Sequence, residues 1–395
     1  YNTLTTPGTY TINVTQDISL MASTPGINNA TSGVALVVEG NGHTIDGSGS
    51  APVRAFDIQA NTVVTIQNIT ISGFSASGGI GDESGGAIAI AGGTLTVRGS
   101  TLSGNQGGLG GAISNAQGTL TVIDSTLSGN RAVGSIVSFG AGIYAIGGPG
   151  QLATTFVINS TLSGNQSAGR GGGIYNAPDS VMTVINSTLS DNTAPAGGGG
   201  VVNTVDSTLT LHNTIVANNT SNDCLRADGT VNAENSLIED GLTCVNGANS
   251  NNLTGDPSLG PLQNNGGSTL TYALLASSNA IDAGNNALAV DQNSNPLQTD
   301  QRGAGYPRIL DGTVDIGAFE APCSDTSWMV SNETELNAAI GCFNAATTPD
   351  TYTIEVTQDI DLTASTTTIN NATAGIDLVI EGAGSPAEIN LHASD

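Results

Sequence analysis

The segment TLTVIDSTLSGN (119–130) sets apolar Leu120, Val122 and Leu127 in alternation with Thr119, Thr121 and Ser128. A period of two marks a strand with one face buried. Near-copies recur along the chain: TIQNITISGF (65–74), TVRGSTLSGN (96–105), VINSTLSGN (157–165), VINSTLSDN (184–192) and LHNTIVANN (211–219). A second phrase alternates with the first: GGAIAI (85–90), GGAISN (110–115), GAGIYA (140–145), GGGIYN (171–176) and GGGVVN (198–203). Its apolar residue falls at Ile88, Ile113, Ile143, Ile174 and Val201, at intervals of 25, 30, 31 and 27. β-branched residues fill the segments, and Gly, Asn and Asp punctuate their ends, where positive φ is needed.

Such a short strand group cannot bury its apolar face alone. Stacked on copies of itself at the strand spacing of about 4.8 Å, it can. The pattern predicts an all-β, right-handed parallel β-helix with one coil per repeat and the five named Ile/Val residues in one core column. Unequal intervals fit, because insertions such as RAVGSIVSFG (131–140) project outward. Asn105, Asn130, Asn165, Asn192 and Asn218 are expected to share one coil position, and Asn68, Asp124, Asn159 and Asn186 another. Amides stacked at strand spacing can bond into ladders, and Asn tolerates the left-handed turn. NST at 159 and at 186 is also a glycosylation sequon, but its recurrence with the coil period favours the ladder.

A longer period lies above the coil. Residues 9–40 and 351–382 align without gaps at an offset of 342, with 23 of 32 positions identical. The chain is read as one unit of about ten coils (1–322), a cap or linker (323–346) and the first coils of a second unit (347–395). In residues 332–344, Leu336, Ala339, Ile340 and Phe343 form an apolar helical stripe that Asn332 or Thr334 can cap. A helix there would cover the open end of a solenoid.

Composition narrows the classes. Gly is 54 of 395 residues, only 10% are charged, and all seven basic residues are Arg. The net charge of −26 disfavours nucleic acid and anionic membranes as partners. No apolar run is long enough for membrane insertion of this segment. Cys224, Cys244, Cys323 and Cys342 show no metal-ligand spacing and are read by proximity as disulfides Cys224–Cys244 and Cys323–Cys342. The implied location is secreted or cell-surface, in an oxidising environment.

The GGAI/GGGIYN and STLSGN phrases resemble the short repeats of polymorphic outer-membrane proteins and other right-handed parallel β-helix surface proteins. NNGGSTLTYALLASSNAIDAGNN (264–286) and TDQRGAGYPRILDGTVDIGAFE (299–320) resemble the end of bacterial choice-of-anchor Q β-helix proteins. NETELNAAIGCFNAA (332–346) resembles the Cys-Ser-Leu-Arg-Glu-Ala segment that opens such domains, although that Cys and Arg are missing from the helix start here. The resemblance implies a surface-displayed, non-catalytic and often adhesive β-helix. In its terminal segment Arg302 is expected to form an ion pair with Asp300 or Asp315.

Some β-helices cleave polysaccharides, so catalytic residues were sought. A lyase would need a basic residue near carboxylates; Arg98, Arg131 and Arg170 lie in the coils, but Arg131 aligns with Gln106 and Gln166. A hydrolase needs two carboxylates about 5–10 Å apart. Asp124 has only Gly99 and Asn159 above and below it, and Asp82-Glu83 lies in a Gly/Ser loop. His43, His212 and His392 do not recur. No cofactor is implied. Calcium is conceivable at Asp291, Asn293 and Asn295, although the Gly and distal Glu of a calcium loop are missing. The leading expectation is a non-catalytic tandem-repeat fibre, stalk or filament, its partners being copies of itself end to end or further units in one chain. An adhesin binding surface glycans is the alternative, and a polysaccharide lyase or hydrolase the second.

Overall fold

The computed structural model describes the chain except residues 49–52, 77–83, 135–136, 311, 324–325, 347, 363–365, 383–388 and 392–395. The repeats form a parallel β-helix. Among the described residues a full coil contributes one strand to sheet A, one to sheet B and one to sheet C, and the coils at the ends lack one or more of these. Sheet A has ten strands, from Gly8–Asn13 and Val34–Glu39 to Thr230–Glu234 and Asn249–Ser250. Sheet B has nine, from Ile18–Ser19 to Leu237–Ile238, and sheet C seven, from Phe56–Ile58 to Cys224–Arg226. Ten strands in sheet A match the expected ten coils. All neighbours in these sheets pair in parallel, and identical phrases lie in register: Leu102 on Leu127, Leu127 on Leu162, Leu162 on Leu189.

Up sheet C, the column runs Phe56, Ile88, Ile113, Ile143, Ile174, Val201 and Cys224. Ile88 through Val201 are fully buried. The column ends at a cysteine, which the Cys224–Cys244 disulfide ties to the next turn of chain. The doubled glycines before sheet C have two separate causes. Gly110 adopts φ +76°, which L side chains rarely reach. A Cβ on Gly111 would lie 2.5 Å from the carbonyl oxygens of Ala141 and Arg131, so the coil above leaves no room for one.

The coils end near Leu253, which bridges Leu237. This refines the expected helix unit of 1–322. Residues 256–322 leave the axis, form the antiparallel hairpin Leu259–Gln263/Thr271–Leu274, and run back over the outside of sheet B as a strap. Thr126, Thr161 and Thr188, outward on sheet B, are buried under it, whereas Thr70 and Thr101 in earlier coils stay half-buried. The strap also covers apolar residues facing outward: Ile123, Ile158 and Ile185 meet Val290 and Leu297, and Ile215 and Leu237 meet Leu274, Ile316 and Phe319.

Beyond the strap a separate core begins. Ser327–Val330, Thr351–Val356 and Asp377–Gly382 form a parallel three-stranded sheet. Helix α1 (Glu333–Ala345) packs Leu336, Ala339, Ile340 and Phe343 with Tyr352, Ile354, Val356 and Ile360. The Asn332 side chain caps α1 by accepting the Glu335 amide at 3.0 Å. Cys323–Cys342 pins the helix to the end of the strap.

If the core columns carry the fold, Leu127→Ala, a cavity with a leucine above and below, should cost about 3 kcal/mol in denaturant unfolding. A loss below about 1 kcal/mol would show that the columns are loosely packed.

Candidate functional site

The polar positions that recur from coil to coil are the first place to look for chemistry. In one column the Asn105 amide Nδ2 donates to Asn130 Oδ1 at 3.0 Å, Asn130 to Asn165 and Asn165 to Asn192, each at 2.9 Å. Each Nδ2 also donates to a leucine or isoleucine carbonyl one coil back, as Asn165 does to Leu127 O. The next rung is Asn219 and not Asn218: Asn192 Nδ2 donates to Asn219 Oδ1 at 2.9 Å. Asn218 instead has φ +59° and occupies the turn position of Gly104, Gly129, Gly164 and Asp191. Two adjacent asparagines made the register ambiguous, and the backbone conformation resolves it. The column ends at Asp223, whose Oδ1 accepts Asn219 Nδ2 at 2.9 Å and whose Oδ2 accepts the Asp240 amide. As an acceptor with no hydrogen of its own when ionised, Asp223 closes the series.

Asn68, Asp124, Asn159 and Asn186 all take the left-handed conformation, with φ between 43° and 55°. They are not a continuous ladder. Asn159 Nδ2 reaches Asp124 Oδ1 at 3.3 Å, but its shorter bond, 2.6 Å, goes to Thr299 O of the strap. Asn186 reaches Asp315 O, and Asn213, the next in the column, reaches Asn285 O. Left-handed residues at the corner point out of the coil, where strap carbonyls compete for them. Asn159 and Asn186 are buried, so their sequons are closed to a glycan in this fold. A serine column was not foreseen: the amides of Ser100, Ser125 and Ser160 donate to the hydroxyls of Ser125, Ser160 and Ser187, each at 3.1 Å. Its signal was the first Ser of each STLS phrase.

The charges of the terminal segment are buried where the strap meets the coils. Arg302 donates to Asp300 from Nε (2.9 Å) and Nη2 (2.6 Å), and lies between the rings of Tyr306 and Phe319. Asp315 does not pair with it; its carboxylate accepts the amides of Asp282 and Ala321. The second pair, Arg308–Glu320 at 2.6 Å, was not foreseen although both residues stand in the family-like segment. Arg308 is wholly buried and also donates to Asn159 Oδ1 and Gly317 O. Burial raises the Glu320 carboxyl above its ordinary value, opposed by Arg308 and by the Leu310 amide. Gln301 stitches strap to coil, accepting from Thr161 and donating to Thr126, Thr269 and Leu270 O.

The remaining candidates are scattered. Asp291 accepts the amides of Asn293 and Asn295 and the Asn295 side chain, an internally bonded turn. Among the described residues no three His, Cys, Asp or Glu side chains converge as a metal site. His43 lies 3.3 Å from Asp17 and His212 3.8 Å from Glu234, whereas His392, Asp82 and Glu83 lie outside the described residues. Arg131 is exposed on a short strand in register with Gln106 and Gln166. Phe139, Tyr175 and Tyr144 stack at 4.5 and 5.8 Å outside sheet C, so their faces are turned to one another. Among the described residues two coil carboxylates lie beside an arginine: Asp57, 3.9 Å from Arg54, and Asp124, 3.2 Å from the half-exposed Arg98. Burial raises Asp124 to about 6; Arg98 and the Asn159 amide oppose this, and nearby Asp300 adds to it.

Residues 2–107, which span the first four strands of sheet A, match the family described as a pectate lyase-like adhesive domain. A search of curated proteins returns no match. Among solved structures, a pectate lyase, Pel9A, is similar at 16% identity and TM-score 0.35, over 80% of this chain and 86% of that one. A PL6-family alginate lyase, AlyGC, solved as a mutant, is similar at 10% identity and TM-score 0.19, over 96% of this chain and 65% of that one.

Two predictions follow from the buried charges. Arg308→Met strands the Glu320 carboxylate and should cost about 3–5 kcal/mol in denaturant unfolding; an unchanged midpoint would show the strap to be peripheral. Asp124 holds its proton more tightly folded than unfolded, so its contribution is full below about pH 4 and declines as pH rises through about 6. Asp124→Asn should therefore gain on the parent between those limits, by at most about 3 kcal/mol, in a thermal-unfolding pH series. A pH-independent difference would refute the assignment.

Proposed function

We propose that this chain is a non-catalytic module of an extracellular surface protein, a tandem-repeat β-helix that forms a stalk or fibre and presents adhesive lateral faces. The observation that carries this reading is the fate of the recurring polar residues. Asn105 through Asn219 and Ser100 through Ser187 are buried and bonded coil to coil, and the turn asparagines Asn159, Asn186 and Asn213 are bonded to the strap. Repetition here maintains the scaffold and leaves few polar groups facing outward in a constellation. The adhesive-domain match in the first coils and the two disulfides support display outside the cell. The net charge of −26, without lysine, keeps such rods apart laterally. It also repels acidic polysaccharides, the substrates that the named lyases would suggest.

A second reading, polysaccharide cleavage, rests on Arg98 and Asp124. Their bonds to each other and of Asp124 to Asn159 support a structural role instead.

A chain of several consecutive 342-residue units should appear in electron microscopy as straight rods gaining about 50 Å per unit, from ten coils at strand spacing. Dispersed round particles would overturn the fibre reading. Unsaturated products released from an acidic polysaccharide, and lost on Asp124→Asn or Arg98→Ala, would replace it with the lyase.

A further inference from the structure

The internal repeat allows the two unit starts to be compared residue by residue. In the second unit the first long strand, Thr351–Val356, has neighbours on both edges: Asp377–Gly382 on one and Ser327–Val330 on the other. Thr353 and Thr357 donate their amides outward to Thr326 O and Val330 O, both at 2.8 Å, and Gln358 Nε2 donates to Ser331 O. Helix α1 then closes the end, leaving Ile354 and Ile360 at 0% and 1% exposure.

The first unit repeats the receiving surface. Among the described residues Gly8–Asn13 is the terminal strand of sheet A and pairs with Val34–Glu39 alone. At the offset of 342, Tyr10, Thr11, Ile12, Thr15, Gln16 and Ile18 are identical to Tyr352, Thr353, Ile354, Thr357, Gln358 and Ile360. Yet Ile12 is 51% and Ile18 36% exposed. The local frame is otherwise the same. Tyr10 and Tyr352 donate their hydroxyls to Thr6 O and Thr348 O, and the Asn28 and Asn370 amides donate to Asn2 and Asn344 Oδ1. Asn2 thus stands where Asn344 stands in the last turn of α1. Beside it Tyr1, Ile12, Ile27, Leu36, Val38 and Phe56 line a mainly apolar recess of about 460 Å³.

We propose that this end face is a docking site, and that its occupant is a second copy of the strand–helix segment formed by residues 327–342. The strand would add in parallel to the open edge of Gly8–Asn13, meeting amides aimed as those of Thr353 and Thr357 are. The helix would set Leu336, Ala339 and Ile340 over Ile12 and Ile18. The occupant is fixed by the chain itself, which seats this segment on the matching surface 342 residues later. The exposed strand edge and the exposed isoleucines are one feature, and a strand followed by a helix covers both. Only the identity of the occupant rests on the tandem-unit reading; the site does not depend on what the lateral faces bind.

The test joins residues 321–342 directly ahead of Tyr1 in the full chain, so that Cys342 of the added copy is followed by Tyr1 as it is by Phe343 in the original. A control fusion carries Leu336→Asp and Ile340→Asp in the added copy only. Hydrogen exchange at Gly8–Asn13 and Ile18–Ser19 should be at least about tenfold slower in the first fusion than in the control. Equal exchange in the two fusions overturns the docking site. Protection without rods in the microscope leaves the docking site standing and removes the fibre; rods without protection do the reverse.

Discussion

Parallel hydrogen bonding between successive coils is the constraint on which every other feature depends. It fixes the rise per coil at the strand spacing, so any residue that recurs with the coil lies directly over its predecessor. At that distance like side chains either fit together or exclude one another. Aliphatic residues fit, which gives the Leu102–Leu127–Leu162–Leu189 column. Amides and hydroxyls fit, because each is both donor and acceptor. Like charges do not, and no charged residue recurs through the core columns. The low content of charged residues is therefore a consequence of the architecture as much as of the setting.

The strap covers one flank of the helix. The strap lies over sheet B and the corner it shares with sheet A, burying Thr126, Thr161 and Thr188 and pairing Arg308 with Glu320. Such a pair is costly to bury and contributes less to net stability than to fixing one docked position. Arg308 reaches both Glu320 and Asn159, so it registers the strap against one coil and not its neighbours. Gln301 does the same through Thr126 and Thr161. On sheet C, Phe139, Tyr175 and Tyr144 stack outside the strands, and outward-facing Ser114, Tyr144 and Val202 are buried.

Much of this was legible in the sequence, for a physical reason. A solenoid places its information at a fixed spacing, so the parallel fold and the core column from Ile88 to Val201 could be read from recurrence, and both disulfides from the proximity of their cysteines. What failed was single-residue register. Asn218 and Asn219 are chemically identical neighbours, and only the left-handed turn at Asn218 separates them. The strap has no period of its own to set it apart from the coils. Its footprint was nonetheless present: Ile123, Ile158 and Ile185 break the alternation at positions where earlier coils carry Arg98 and Gln67. An apolar residue on the outward face of three consecutive coils called for a covering layer. Arg308 was passed over because nothing in its immediate sequence marks it as buried.

The asparagine column has a direction. From Asn105 to Asn192 each side-chain amide donates one hydrogen to the next asparagine toward the C-terminus and the other to a carbonyl one coil back, while its oxygen accepts from the N-terminal side. The group dipoles therefore add along the axis, as peptide dipoles do in an α-helix. The positive pole falls at the C-terminal end, and there the carboxylate of Asp223 stands in the line. The arrangement gives the coils between Asn105 and Asn219 a common polarity, and any coil added inside the column would lengthen it without disturbing the acid that terminates it.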